Sequence, residues 1–334
     1  MPDSGMLELV LALPEHLLAG FVAAGRPMAA ARYDNLVVLG MGGSAISGSL
    51  LSGLVADSAR VPVLSCRDYE IPAVAGRRSL VVAISYSGDT EETLSAFSQA
   101  RRRGCPAVII AGGGRLAREA GNVPVVGVPT GLPPRAALGF LFGSLLAVAR
   151  TAGVWSGSRA EVAAAASFLH GRVGQWRRRA RALAARLGGG LPFVYASSRM
   201  TEPAAERWRC QLNENAKVLC HSSVLPEHNH NEIVGLGSPA AARAAYILAL
   251  TDRQTHPRTI KRLDHLLDIA RGAFRGATVV PSEGETRLER LMSLVMMGDL
   301  FSVELAAARG VDPMPVARID ELKRRMAPAR EARC

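Results

Sequence analysis

From Asp34 onward one pattern recurs: a short apolar run, a turn, then a segment long enough for a helix. The runs are Leu36 to Leu39, Val61 to Leu64, Leu80 to Ile84, Ala107 to Ile110 and Val123 to Val128. Strands this uniformly apolar must be covered on both faces, which is the situation in a parallel sheet flanked by helices. The alternation therefore predicts an α/β fold. It starts again later, with Phe193 to Ala196, Ala245 to Leu250 and Ala277 to Val280 separated by helix-like stretches that include Arg287 to Arg309. Two such units in tandem are expected, and 334 residues is about twice the ~100–200 of a typical domain.

The organisation around these units follows from composition. Residues 1–33 read as a lead-in of one or two helices interrupted by Pro14 and Pro27, and 34–152 as the first unit, closed by a helix from about Arg135 to Thr151. A polar, Ala/Arg-rich connector, 153–188, carries a helix from Glu161 to Leu187. Gly188, Gly189 and Gly190 then lead into the second unit, 189–334.

Composition also excludes whole classes. With 49% hydrophobic and 21% charged residues the chain is globular, not disordered. Its five cysteines, Cys66, Cys105, Cys210, Cys220 and Cys334, are far apart and form no CxxC pair, which argues against a disulfide framework or cysteine zinc site. A cytoplasmic setting is expected, and no membrane, because no basic leader or run of ~18 apolar residues is present. The net charge of +11 is compatible with nucleic acid, a membrane surface or a small anionic substrate. The runs Arg101 to Arg103 and Arg177 to Arg179 lack interleaved aromatics and read as solvated helix faces, so no nucleic acid is expected. Among 40 basic residues only Lys217, Lys261 and Lys323 are lysines, which suggests tasks for which arginine is unsuited.

Two turns can hold an anion. Gly40-Met41-Gly42-Gly43-Ser44-Ala45 follows the first strand and feeds a helix, where backbone N–H groups and the helix dipole favour negative charge. It also fits GxGxxA, a dinucleotide fingerprint, although the second strand runs into Cys66, Arg67 and Asp68 rather than ending on an acidic residue at the usual distance. Ser85-Tyr86-Ser87-Gly88-Asp89-Thr90, after the third strand, is more specific. Capping accounts for one hydroxyl at a helix start; Ser85, Ser87 and Thr90 together suit a tetrahedral anion such as phosphate.

GMGGSAISG followed by SYSGDTEETL resembles the sugar isomerase (SIS) domain, whose serine-rich loop grips the phosphate of a phosphosugar. RDYEIPA, PPRAALG, NENAK, HNHNEIVG and GVDPMPVARIDELKRR, in that order, are similar to the archaeal and bacterial bifunctional phosphoglucose/phosphomannose isomerases. The likeness runs from Asn35 through most of the chain. It implies two SIS domains, each a parallel sheet flanked by helices in a flavodoxin-like sandwich. It also implies a homodimer whose shared active sites take His230 from the neighbouring subunit.

Moving a proton between C2 and C1 of a sugar phosphate calls for a carboxylate base, a group that opens the ring and a cation for the enediolate. The resemblance places these roles on Glu214 as base, His230 and Lys323 for ring opening, and Arg135 for the enediolate. Gly43, Ser44, Ser85, Ser87 and Thr90 would hold phosphate. His228 and His230 with Glu232 form an incomplete ligand set, so neither metal nor cofactor is expected. His228 reads as a structural histidine, and Lys217, three residues from Glu214, as structural or as tuning that carboxylate.

The family's loop usually reads SGNT, and here Asp89 replaces the asparagine. It would repel phosphate unless it points away or caps a helix. The expected activity is interconversion of fructose 6-phosphate with glucose 6-phosphate and mannose 6-phosphate. Alternatives are an isomerase for another sugar phosphate, a non-catalytic phosphosugar sensor, or an NADP-dependent oxidoreductase using Arg67 for the 2′-phosphate.

Overall fold

The computed structural model describes residues 5–28, 31–236 and 239–326. The lead-in forms α1 (Gly5–Leu11) and α2 (Leu13–Ala24), with Pro14 in the first turn of α2, where its missing N–H has no helical partner to lose. Their apolar sides are buried: Met6, Leu7, Val10, Leu13, Leu17 and Phe21 belong to the main core. Residues 1–4, 29 and 30 of the lead-in lie outside the described residues.

The first sheet follows, as β1 (Asn35–Leu39), α3 (Gly43–Val55), β2 (Val63–Cys66), β3 (Ser79–Ser85), α4 (Glu91–Arg102), β4 (Ala107–Ala111), α5 (Gly114–Arg118) and β5 (Val125–Gly127). A 3₁₀ turn, Pro134–Ala137, leads into α6 (Leu138–Thr151). The sheet order is β2-β1-β3-β4-β5, with every pair parallel, the order of flavodoxin-type folds. All five residues of β1 and all seven of β3 are buried, as strands covered on both faces must be. The second strand begins two residues later than its apolar run, because Pro62, lacking an N–H, stands just outside it and accepts from Leu36 N at 3.0 Å. Helix α2 lies on α6 at very short range: a Cβ at Gly143 would stand 2.1 Å from the Leu17 carbonyl oxygen.

The second half continues with α7 (Arg159–Leu187), β6 (Leu191–Ala196), α8 (Glu202–Asn215), β7 (His221–Val224), a 3₁₀ turn at Glu227–His230, α9 (Glu232–Gly235), α10 (Pro239–Ala244), β8 (Ala245–Thr251), α11 (Pro257–Ala270), β9 (Gly276–Pro281), α12 (Arg287–Ala308) and α13 (Ala317–Met326). Its sheet is also parallel, in the order β7-β6-β8-β9. Three of these strands correspond to apolar runs. The fourth, β7, reads His-Ser-Ser-Val and lies half exposed at the sheet edge, where no apolar run is required.

Helix α12 is the spine of this half. A capping box closes its N-terminus, with Thr286 accepting from Glu289 N and Glu289 accepting from Thr286 N. Among the described residues it is the one single helix long and apolar enough to cross a membrane, and 89% of that stretch is buried within the chain, as in a core helix. The arginine run on α7 differs from the solvated face expected. Arg177 and Arg181 converge on Glu304 of α12, which is 7% exposed, at 2.7 and 3.0 Å, and Arg179 pairs with Glu283.

Candidate active site

In an open parallel sheet ligands bind where the strand order reverses, beyond the carboxyl ends of the strands. Here that point lies between β1 and β3, and the turns leaving them are the two anion-loop candidates. They are joined directly: Tyr86 N donates to Ser44 Oγ at 3.3 Å. Ser85 Oγ lies 3.0 Å from Thr90 Oγ1 and accepts from Gly88 N at 3.0 Å. Thr90 occupies the N-cap of α4 yet makes no side-chain capping bond. Its hydroxyl turns to Ser85, so capping explains none of the cluster. Ser87 is exposed and accepts from Asp89 N at 3.2 Å.

Gly88 makes this turn. It adopts φ +74° and lies back to back with Gly113, whose carbonyl oxygen would be 1.8 Å from a Cβ at Gly88. The contact seats the serine loop on the start of α5, and Asp89 completes it by accepting from Arg115 N at 2.9 Å. Asp89 therefore caps a neighbouring helix and not its own, which engages its carboxylate with the turn after β4.

Arg135 connects this crevice to the second half. Its loop leans on both anion loops: a Cβ at Gly43 would lie 3.4 Å from the Arg135 Cα, and Leu132 N donates to Tyr86 Oη at 2.8 Å. The Arg135 side chain is buried, 4% exposed, and points toward α8. Nε donates to Asn215 Oδ1 at 2.7 Å, and Nη2 to the carbonyls of Pro313 and Met314 at 2.7 and 2.9 Å. Nη1 lies 3.6 Å from Glu214 Oε2, an ion pair longer than a hydrogen bond. Burial lowers the guanidinium's pKa, an effect partly offset by Glu214 and reinforced by Arg207.

Glu214 sits in the last turn of α8, half-buried, on a cavity of 530 Å³ whose wall includes Asn213, Lys217, Pro315, Ala317 and Ile319. Lys217 lies beyond the helix end rather than on its face. It adopts φ +54°, and its Nζ donates to the carbonyls of Glu214 and Pro315 at 2.5 and 2.7 Å. Burial lowers its pKa, with Arg135 adding repulsion. This lysine ties the end of α8 to the turn before α13, and its bonds are to carbonyls, not to the Glu214 carboxylate.

Beneath β7 lies a second polar group. Glu232 accepts from Tyr195 Oη at 2.9 Å and lies 3.0 Å from His221 Nε2. Burial pushes the Glu232 carboxyl up, but bonds from His221, Ser223 and Tyr195 outweigh it and hold it below its ordinary value. His228 is fully buried against the Tyr195 ring, its Nε2 lies 3.7 Å from Glu232 Oε1 without a hydrogen bond among the described residues, and burial lowers its pKa. His230, next in the turn, is exposed. Among the described residues neither the His230 side chain nor that of Lys323, also exposed on α13, has a hydrogen bond or ion pair, and none joins either to Glu214. Lys323 is four residues beyond Ile319 and so shares the helix face that reaches the Glu214 cavity.

At the corresponding point of the second sheet, between β6 and β8, Ser197 Oγ lies 2.9 Å from Thr255 Oγ1, and beside it the ends of β8 and β9 are joined by the protein's own groups. Asp252 Oδ2 accepts from Ser282 Oγ and Arg290 Nε at 2.6 and 2.8 Å, and Oδ1 from Gln254 N at 2.9 Å. Arg67, the residue weighed for a cofactor 2′-phosphate, is ion-paired with Glu206 and donates to Ser49 Oγ at 2.6 Å. Among the described residues no group of three or more His, Cys, Asp or Glu is arranged to hold a metal.

Sequence reasoning did not single out Asn215, Arg207, Asp299 or Ser302, which surround Arg135. The buried pair Arg207–Asp299 is bidentate, at 2.9 and 2.6 Å, and Arg207 Nη2 also donates to the Arg135 carbonyl at 3.0 Å. The signal for Asn215 was present, as the second asparagine of NENAK, but nothing local reveals its partner.

Residues 177–326 match the model of the bacterial phospho-glucose isomerase C-terminal SIS domain. The chain is 37% identical to the bifunctional phosphoglucose/phosphomannose isomerase of Caldicellulosiruptor bescii, over 96% of this chain and 99% of that one. It is 36% identical to the protein of the same name from Aquifex aeolicus, over 87% and 90%. In fold it is similar to the C-terminal domain of glucosamine-fructose-6-phosphate aminotransferase from Francisella tularensis, with a TM-score of 0.73, 15% identity, and 92% and 97% of the two chains covered. Identity at this level over nearly the whole of both chains, with the crevice above, settles the family: the chain belongs to the bifunctional phosphoglucose/phosphomannose isomerases.

Proposed function

We propose that the chain interconverts fructose 6-phosphate with glucose 6-phosphate and mannose 6-phosphate. Two tandem SIS domains, 34–152 and 189–334 joined by 153–188, build the site. The observation that carries this reading is the position of Arg135, whose loop rests on both anion turns while Nη1 faces Glu214 at 3.6 Å. In this reading phosphate at the hydroxyl loops and the carboxylate beside Arg135 belong to one site, linked through the Arg135 loop.

In this reading Ser44, Ser85, Ser87 and Thr90, with Gly43 and the first amides of α3 and α4, hold the phosphate dianion. Glu214 takes the proton from C2 of the open-chain aldose. Electrons move into the C1 carbonyl, whose oxygen becomes part of the enediolate; a proton then passes from O2 to O1, and Glu214 returns the carbon-bound proton to C1 as the C2 carbonyl forms, giving the ketose. Arg135, a buried cation whose only carboxylate neighbour among the described residues, Glu214, is outside hydrogen-bond range, stabilises the enediolate oxygens. Ring opening falls to His230 and Lys323. Exposed His230 is supplied by the partner of a homodimer, and Lys323 approaches along the α13 face that carries Ile319.

One experiment tests base and partner together. Glu214→Gln lowers solvent-hydrogen exchange at C2 of glucose 6-phosphate by about 10²–10⁴-fold; undiminished exchange removes Glu214 from the mechanism. Mixing Glu214→Gln with His230→Ala chains, refolded together, restores about a quarter of the wild-type activity, since half the dimers are mixed and each has one intact site. No recovery above the separate variants rules out a histidine given across the interface.

A further inference from the structure

Arg135 is held differently from the other buried arginines. Arg207 and Arg290 each meet a carboxylate within hydrogen-bond distance, at 2.6 and 2.8 Å. Arg135 is fixed by neutral acceptors: the Asn215 amide oxygen on Nε and two backbone carbonyls on Nη2. These set the plane and rotation of the guanidinium, add no counter-charge of their own, and direct Nη1 toward Glu214, whose carboxylate stands 3.6 Å away.

Asn215 is fully buried and has its own orientation fixed. Its Nδ2 donates to Ser302 Oγ at 2.9 Å, and Ser302 Oγ donates to the Asp299 carbonyl at 2.7 Å. Asp299 in turn grips Arg207, which donates to the Arg135 carbonyl. Backbone and side chain of Arg135 are thus both referred to one rigid helix, α12. An amide suits this position because it accepts on one side and donates on the other, whereas a carboxylate of the same shape would neutralise the arginine.

We infer that Asn215 is a positioning residue for the isomerase reaction: it aims the Arg135 guanidinium at the enediolate without placing a second negative charge beside it. The inference rests on the reading of Glu214 and Arg135 given above. Asn215 touches no substrate in it, and acts through Arg135 alone. Its effect belongs to the charged intermediate and not to phosphate binding, so it divides kcat from KM.

The test compares Asn215→Asp and Asn215→Leu in the full chain. Four readouts are taken: kcat and KM for fructose 6-phosphate, affinity for inorganic phosphate, and affinity for a phosphorylated five-carbon hydroxamate that mimics the planar enediolate. Asn215→Asp, nearly identical in shape, lowers kcat about 100-fold and weakens the hydroxamate by a similar factor, with KM and phosphate affinity within about threefold. Asn215→Leu lowers kcat about tenfold with the same division, because the guanidinium loses its guide but not its charge. Wild-type kcat and hydroxamate affinity in a folded Asn215→Asp protein overturn the inference. So does a fall in phosphate affinity as large as that in kcat, which is the mark of general loosening. Should Asn215→Leu fail to fold, the Asp variant decides alone. Glu214→Gln in the same series separates the two claims. If it retains C2 exchange, the reading of the site fails; if it abolishes exchange while Asn215→Asp is silent, only the positioning role fails.

Discussion

Gly88→Ala probes the contact on which the loop proposed to hold phosphate depends. A Cβ at this position would lie 1.8 Å from the Gly113 carbonyl oxygen and 2.8 Å from the Gly114 Cα, and must retreat to at least 3.0 Å. Both sides of the contact are backbone, so no rotamer change relieves it. The left-handed conformation adds about 1–2 kcal/mol for a residue with a side chain. Separation also strains three bonds that tie the loops together: Gly112 N to Tyr86 O at 3.1 Å, Leu116 N to Gly88 O at 2.8 Å and Arg115 N to Asp89 Oδ1 at 2.9 Å. At about 1 kcal/mol net for each bond, the total is roughly 4–5 kcal/mol. Where the loop yields before the domain unfolds, Ser85, Ser87 and Thr90 shift with it, and loss of two bonds to a phosphate weakens binding about 100-fold or more. Thermal unfolding and calorimetric titration with glucose 6-phosphate measure the two effects. Gly121→Ala is the control: it is also left-handed, at φ +59°, but a Cβ there meets only the flexible end of Arg101 at 3.4 Å. It carries the conformational cost alone and leaves phosphate affinity intact. A Gly88→Ala protein with both wild-type stability and wild-type affinity would refute the reasoning.

Asp89→Asn leaves KM for fructose 6-phosphate within about threefold, because an amide oxygen caps Arg115 N as the carboxylate does; a KM ten times lower would mean that the carboxylate faces the anion after all. Asp252→Asn reports on the polar cluster at the ends of β8 and β9. Burial pushes the Asp252 carboxyl up, but Ser282, the Gln254 amide and Arg290 outweigh it and hold it below its ordinary value of 3.8. Its stabilisation is therefore complete above that value and is lost as the pH falls through the depressed folded value. Denaturant unfolding at neutral pH finds the variant about 3 kcal/mol less stable, and the gap narrows below pH 3.8; a gap independent of pH would show that the charge on Asp252 does not matter.

Both sheets, their helices and the hydroxyl-bearing turn after β3 could be read from the sequence because each is a property of contiguous residues. An apolar run of four or five, as in β1 and β3, reports burial on both faces wherever it occurs. Hydroxyls around Gly88 report a turn at a helix start because turn geometry and helix dipoles are local. The exception among the strands, β7, lies at an edge where burial no longer writes the pattern.

Tertiary structure alone decided which groups meet. Asp89 caps a helix 26 residues away, Asn215 holds an arginine 80 residues away, and Arg135 also bonds to carbonyls 178 and 179 residues further along the chain. Lys217, three residues from Glu214, bonds to its carbonyl and not its carboxylate. Residue type states how many hydrogen bonds a buried side chain requires, but not which partner the folded backbone delivers to within 3 Å of it. That delivery depends on the packing of loops, sheets and helices in three dimensions, which no local pattern encodes.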